Sequence, residues 1–115
     1  MRLLSVENGG NWAIPCVKAM EKTYAKMPQA FAEHPRDVFL RNVFINPFWE
    51  ESMSDLVGLM SADHVVFGSD YPHPEGMADP LSWAHEMSQL FAPNDVQKMM
   101  GGNMYGLLGV SPKVA

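Results

Sequence analysis

The sequence predicts an α/β fold built from parallel βα units, and three observations carry that prediction. Short apolar runs alternate along the chain with longer segments whose apolar residues recur three and four positions apart, the period of a helix face. The clearest of these runs are continuous rather than alternating, as strands buried on both faces are. Each run also ends in a polar loop rich in Gly, Pro or Asn, which separates it from the helix that follows.

The first strand is Arg2 to Val6, and Glu7-Asn8-Gly9-Gly10-Asn11 forms the loop after it. Asn11 is a capping residue for a helix from about Trp12 to about Met27, with Ile14, Val17, Met20 and Tyr24 near helical spacing. Pro15 falls in its first turn, where the missing N–H does no harm. Residues 28 to 38 contain Pro28, His34-Pro35 and Asp37 and read as a surface loop or a short helical turn. The second strand spans Leu40 to Ile45 and is ended by Asn46-Pro47-Phe48-Trp49. In the next helix, about Glu50 to Met60, the residues Met53, Leu56, Val57 and Met60 form one stripe, and Glu50 and Glu51 suit the positive end of its dipole. His64-Val65-Val66-Phe67 is the third strand. Asp79-Pro80 then opens a helix to about Phe91 as N-cap and first-turn proline. Pro93-Asn94-Asp95 begins the last helix, where Val96, Met99, Met100, Asn103 and Leu107 share a face. A polar Asn103 on that stripe needs partners, and a barrel loop behind it is the expected one.

Composition narrows the function classes. Hydrophobic residues make up 47% and charged residues 18%, as in an ordinary folded domain. The net charge of -5, with no basic stripe, argues against a nucleic-acid surface. No apolar stretch reaches the roughly 18 residues a membrane helix needs, and the N-terminal apolar run is too short for a signal peptide. Cys16 is alone, so an internal disulfide framework is excluded and a reducing, cytoplasmic compartment is expected. Its place among Ile14, Val17 and Met20 makes it a core thiol.

The chemistry-bearing segment is Phe67 to Gly76, FGSDYPHPEG, where Asp70 stands at the C-terminal end of a buried strand. In parallel α/β folds those ends carry ligands and catalytic groups, because the loops vary while the sheet below fixes their geometry. A carboxylate there either binds a metal or accepts a proton, or it simply caps the loop. Pro72 and Pro74 stiffen the loop carrying His73 and Glu75, which leaves His73 near Asp70 with little entropy to lose. His73 is expected to bind metal or substrate, or to shuttle a proton. Glu7, at the end of the first strand, is a second candidate substrate-binding carboxylate. Trp12, Phe48 and Trp49 follow strand ends and either line an aromatic pocket or pack helices onto the sheet.

The order RLLSVENGGNW (Arg2 to Trp12), NVFINPFWEE (Asn42 to Glu51), VVFGSDYPHPEG (Val65 to Gly76) and NDVQKMMGGNMYGLLG (Asn94 to Gly109) resembles the C-terminal third of the amidohydrolase-related family. That family includes metal-dependent hydrolases and decarboxylases similar to aminocarboxymuconate-semialdehyde decarboxylase. The resemblance implies a (β/α)8 TIM barrel with its active site on the C-terminal face, over residues 1–110, with 111–115 as a tail. It implies that Asp70 is a metal ligand and proton-transfer group. It also implies a divalent metal, zinc or manganese, and a small carboxylate or ring substrate. Two departures matter. Glu7 stands where many relatives have a His before the Gly-rich turn, and no His-x-His occurs among the four scattered histidines. At 115 residues the chain is also well short of the roughly 250 of such a barrel. Three strands cannot close one, so their edges stand exposed. The expectation is a partial barrel that self-associates or pairs with the missing N-terminal part, or else an inert fragment.

Overall fold

The computed structural model describes residues 1–113. β1 (Leu3–Ser5) and β2 (Val43–Ile45) pair in parallel, with Leu3 opposite Val43, Leu4 opposite Phe44 and Ser5 opposite Ile45. On the far side of β2, Val65 makes a single parallel bridge to Ile45, and the Val66 N–H donates to the Ile45 carbonyl at 2.9 Å. Ile45 therefore lies between both neighbours and is fully buried. The three parallel segments and their helices give part of a barrel wall.

Six α-helices clothe this wall: α1 (Ala13–Lys26), α2 (Pro35–Asn42), α3 (Met53–Met60), α4 (Pro80–Met87), α5 (Pro93–Gln97) and α6 (Asn103–Leu108). The buried residues of α1 to α5 meet those of β2 and the turn after α5 in one core that includes Val17, Phe39, Ile45, Leu56, Trp83 and Met99. Trp83 is fully buried and stacks on Phe67, with ring centroids 4.6 Å apart. Cys16 packs against the same core, half-buried. The radius of gyration is 15.5 Å and the long axis 51 Å, against about 13 Å expected for a compact domain of this length. The chain is thus an elongated wall segment. Among the described residues, no helix is long and apolar enough to cross a membrane.

The structure corrects several element boundaries. Residues 28 to 38 are more ordered than a surface loop: a 3-10 turn covers Pro28–Ala30, and α2 starts at Pro35 behind His34. The His34 Nδ1 accepts the Arg36 N–H at 3.1 Å, so this histidine is a helix cap. α2 then runs through Leu40–Asn42, which the sequence assigned to the second strand. None of those three residues is β-branched, and Phe39 is buried on the helix, so local helix packing prevails until Val43. His64, expected in the third strand, closes a 3-10 turn over Ala62–His64 instead. Its Nδ1 lies 3.0 Å from the Val43 carbonyl, which places the proton on that nitrogen. The α4 helix ends at Met87 rather than near Phe91. The tail expected over 111–115 has no helix or strand through 113, and 114–115 lie outside the described residues.

The last helix holds the third parallel segment in place. Between α5 and α6 the chain widens into a π-helical turn, Lys98–Gly102. Such a turn leaves a carbonyl outside the ordinary ladder, and the Met99 carbonyl accepts the Phe67 N–H at 2.9 Å. One turn on, the Asn103 Nδ2 donates to both the Ala62 and Val65 carbonyls at 2.7 Å. Lys98 adds an ion pair to Asp63 at 2.6 Å. The Lys98 ammonium holds the Asp63 carboxyl below its usual 3.8, chiefly by that hydrogen bond.

Two expectations follow. Asn103→Ala removes the side-chain donor from both carbonyls, leaving that of Ala62 only the long Val65 N–H bond at 3.5 Å, and should lower stability by about 2 kcal/mol, read as a lower urea midpoint with an unchanged slope. A group whose pKa is depressed on folding contributes stability above its ordinary value and loses it as pH falls through the folded value. The Asp63 contribution should therefore be intact at neutral pH, begin to fall near about pH 4 and be lost as the pH drops through the lower folded value. A melting series from pH 7 to 3 should show a shallower acid decline in Asp63→Asn than in wild type.

Candidate active site

The loops after β1, β2 and the Val65 segment rise from the same end of the wall and enclose a cavity of about 220 Å³. Glu7 and Val6 line it from the first loop, Asn46 to Glu50 from the second, and Gly68, Asp70 and Glu75 from the third. Strand-end placement thus brings together two of the three site residues chosen from sequence, Asp70 and Glu7. The third, His73, does not line the cavity but stands beside Asp70, its Nδ1 3.4 Å from the Asp70 Oδ2.

Both carboxylates sit on left-handed backbone, Glu7 with φ 59° and Asp70 with φ 55°. Non-glycine residues rarely adopt this region, which costs on the order of 1 kcal/mol and persists only where surrounding structure enforces it. At Asp70 the enforcement is a closed loop. His73 N–H donates to the Asp70 carbonyl at 2.8 Å, Gly76 N–H to the His73 carbonyl at 2.8 Å, and Met77 N–H to the Ser69 carbonyl at 2.7 Å. The loop closes so tightly that a Cβ at position 76 would overlap the Asp70 backbone, so only glycine fits there.

The imidazole of His73 has two suitors. The Glu75 N–H points at the same Nδ1 from 3.4 Å. His73 can donate from Nδ1 to Asp70 only when it yields that contact, so the ring is poised between a loop acceptor and a carboxylate partner. The Asp70 and His73 side chains are 54% and 57% exposed, which leaves both open to a ligand or to another polypeptide.

Farther along the β1 loop the backbone at Gly10 and Asn11 is held by Glu51, which the sequence assigned to the dipole of α3. Glu51 and Glu50 lie in the turn before that helix, whose first-turn acid is Asp55. The Glu51 carboxylate instead accepts Gly10 N–H at 2.8 Å, Asn11 N–H at 3.0 Å and Phe48 N–H at 2.8 Å. It thereby covers the N-terminus of α1, where Asn11 was expected and no side chain of the local sequence caps. Gly9, at φ 65°, has Phe48 and Glu51 so close that a Cβ would meet both within 3.0 Å.

The aromatic residues divide between the two roles open to them. Phe48 and Trp49 line the cavity and stay 50% and 41% exposed. The Trp49 indole N–H donates to the Glu75 carbonyl at 3.2 Å, tying the second loop to the third. Trp12 packs edge-on against Phe39 in the core and donates to the Gly9 carbonyl at 2.9 Å. Glu75 is exposed and forms part of the cavity wall. Asn46 completes the floor, its Nδ2 donating to the Val66 carbonyl at 3.0 Å. Among the described residues no three His, Cys, Asp or Glu side chains come together as a metal-binding set.

The amidohydrolase family model matches residues 8–110, nearly the whole chain. The chain belongs to the amidohydrolase family. Its fold is similar to the crystal structure of an amidohydrolase from Mycobacterium avium subsp. paratuberculosis K-10, with a TM-score of 0.88 and 35% identity over 96% of this chain. It is also 32% identical, over 76 residues or 60% of its length, to a 2-amino-3-carboxymuconate-6-semialdehyde decarboxylase of Dictyostelium discoideum. The chain spans 28% of the former protein and 21% of the latter.

In this amidohydrolase chain Glu51 anchors two of the three loops, and its removal has a defined consequence. Glu51→Ala strips a charged acceptor from three N–H groups and should cost about 2 kcal/mol, measured by urea denaturation. Hydrogen exchange at Gly10, Asn11 and Phe48 should accelerate together in the variant, whereas exchange at Met99 should follow only the global loss.

Proposed function

We propose that this chain is the C-terminal third of a (β/α)8 barrel and supplies one part of the site of a metal-dependent hydrolase or non-oxidative decarboxylase. The observation that carries the reading is Asp70, a strand-end carboxylate held on left-handed backbone at the mouth of the cavity with His73 beside it. Family membership supports the reaction class, and the decarboxylase relative supports carbon–carbon cleavage as one form of it.

Amidohydrolases are generally metal-dependent, but the described residues of this chain do not make a complete ligand set. A catalytic zinc has three protein ligands. Asp70 is suited to give one, and the others, with the rest of the barrel wall, come from outside these 115 residues. A bound zinc or manganese ion would act there as a Lewis acid. The chain's own residues hold and move the proton: Asp70 accepts it as a carboxylate, and the imidazole of His73 beside it relays it to solvent. Glu7 contacts the substrate from the opposite loop. A small carboxylate or ring compound is the substrate class, and the cytoplasm is the compartment that suits the lone thiol.

A second reading is favoured by one observation, the lack of a three-ligand cluster among the described residues. In it the chain alone is inert and acts only by association. The two readings part on a single experiment. The purified chain is dialysed against zinc and manganese, its monomer and any oligomer are separated by size exclusion, and metal is measured in each, for wild type and Asp70→Ala. Metal in the associated form that is lost in the variant supports the enzyme reading, and those fractions should then release product from hydrolase or decarboxylase substrates. Metal retained by Asp70→Ala, or absent from every fraction, overturns the role of Asp70 and leaves the inert reading.

A further inference from the structure

Asn46 is the first residue after β2, and the three parallel segments meet on it. Its backbone N–H donates to the Ser5 carbonyl in β1 at 2.9 Å, and its side-chain Nδ2 donates to the Val66 carbonyl in the third segment at 3.0 Å. A carbonyl can only accept, so the amide is turned with its nitrogen to Val66 and its oxygen away from that bond. Gly68 leaves the clearance for this arrangement. A Cβ at position 68 would come within 3.0 Å of Nδ2 and 3.8 Å of Oδ1, so the amide lies against the glycine and is held at both its ends.

The oxygen is left over. Among the described residues none donates to Asn46 Oδ1, although the residue is part-buried and lines the cavity together with Glu7 on one loop and Asp70 on another. The contrast with Glu51 is instructive, because that carboxylate is spent entirely on three backbone N–H groups of its own chain. Asn46 spends its donor on the framework and keeps its acceptor. An acceptor fixed in place and partly withdrawn from solvent is stabilised by a donor and penalised by an apolar neighbour.

We infer that Asn46 is a specificity-determining residue of this cavity, its Oδ1 accepting a hydrogen bond from a neutral O–H or N–H group of the substrate, a hydroxyl or an arylamine nitrogen. A ligand that excludes solvent from this oxygen must bring a donor of its own, and an analogue with a methyl group at that point leaves the acceptor unpaired. The inference rests on the proposed function in taking the cavity as part of the substrate site. It adds a neutral donor to the small carboxylate or ring substrate proposed there, on a different atom from the carboxylate, so the two requirements do not compete.

The test is a titration of the full 115-residue chain with two pairs of uncharged probes, phenol against anisole and aniline against N,N-dimethylaniline. Binding is followed by the side-chain amide resonances of Asn46 and by saturation transfer to each probe. In each pair the donor should bind about fivefold more tightly than its methylated partner. The preference should disappear in Asn46→Ala and survive in Asn46→Asp, which keeps an oxygen in place of Oδ1 although both variants lose the bond to Val66. A residue that merely braced the strands would give the opposite order, because a carboxylate facing the Val66 carbonyl braces no better than alanine. Equal binding within the pairs, binding of no probe, a preference kept by Asn46→Ala, or one lost alike in both variants overturns the inference. Should Asn46→Ala give no cooperative urea transition, the wild-type pairs decide alone. A donor preference in a chain that never takes metal would sink the metal-dependent function and leave this inference standing, and metal held through Asp70 without any donor preference would do the reverse.

Discussion

Three backbone N–H groups converge on the carboxylate of Glu51, two from the loop after β1 and one from the loop after β2. The donors at Gly10 and Asn11 lie at the start of α1, where a helix has unpaired N–H groups and a partial positive charge. A charged acceptor suits that position better than any other side chain, and here it arrives from 40 residues away. The same carboxylate sets how the β2 loop leaves the sheet, and so where Phe48 and Trp49 stand. Trp49 then carries the constraint to the third loop through the Glu75 carbonyl. All three loops that frame the cavity are thereby referenced to one ionised group.

Much of this was legible in the sequence where the cause is local. Asp79-Pro80 reads as cap and first-turn proline, and the Asp79 Oδ1 does accept the Leu81 N–H at 3.1 Å. The α3 stripe of Met53, Leu56 and Met60 is buried as its spacing predicts. Asn103 on an apolar stripe requires partners, and it has two carbonyls behind the wall. The second strand was misjudged because Leu40 to Ile45 was read as one run, although the polar pair Arg41-Asn42 interrupts it where the helix ends and the β-branched residues begin only at Val43. What decides it is the cap at His34, whose effect propagates forward through one more turn than the pattern suggests.

The site was legible at its carboxylates and not in its framework. Asp70 and Glu7 follow apolar strands, and topology alone places such residues at one end of a parallel sheet. Their left-handed backbone leaves no trace in composition, since Asp and Glu are common in loops of every conformation. Glu51 was hidden for a stronger reason. Its neighbours in sequence make it look like a helix-dipole residue, and its partners lie in another βα unit. The aromatic residues could not be divided in advance because Trp12 and Trp49 both follow strand ends. Only packing shows that one ring meets Phe39 in the core and the other faces the cavity.

The wall itself explains why its chemistry is incomplete. Strands of three residues contribute few ladder bonds, and Leu3 at the open edge of β1 remains 49% exposed. Beside that edge runs an apolar groove of about 600 Å³ lined by Met20, Phe31, Val38 and Phe39, the kind of surface that parallel α/β architectures cover with a neighbouring element. Asp70 and His73, both more than half exposed, stand beside the mouth of a cavity that this partial wall leaves open.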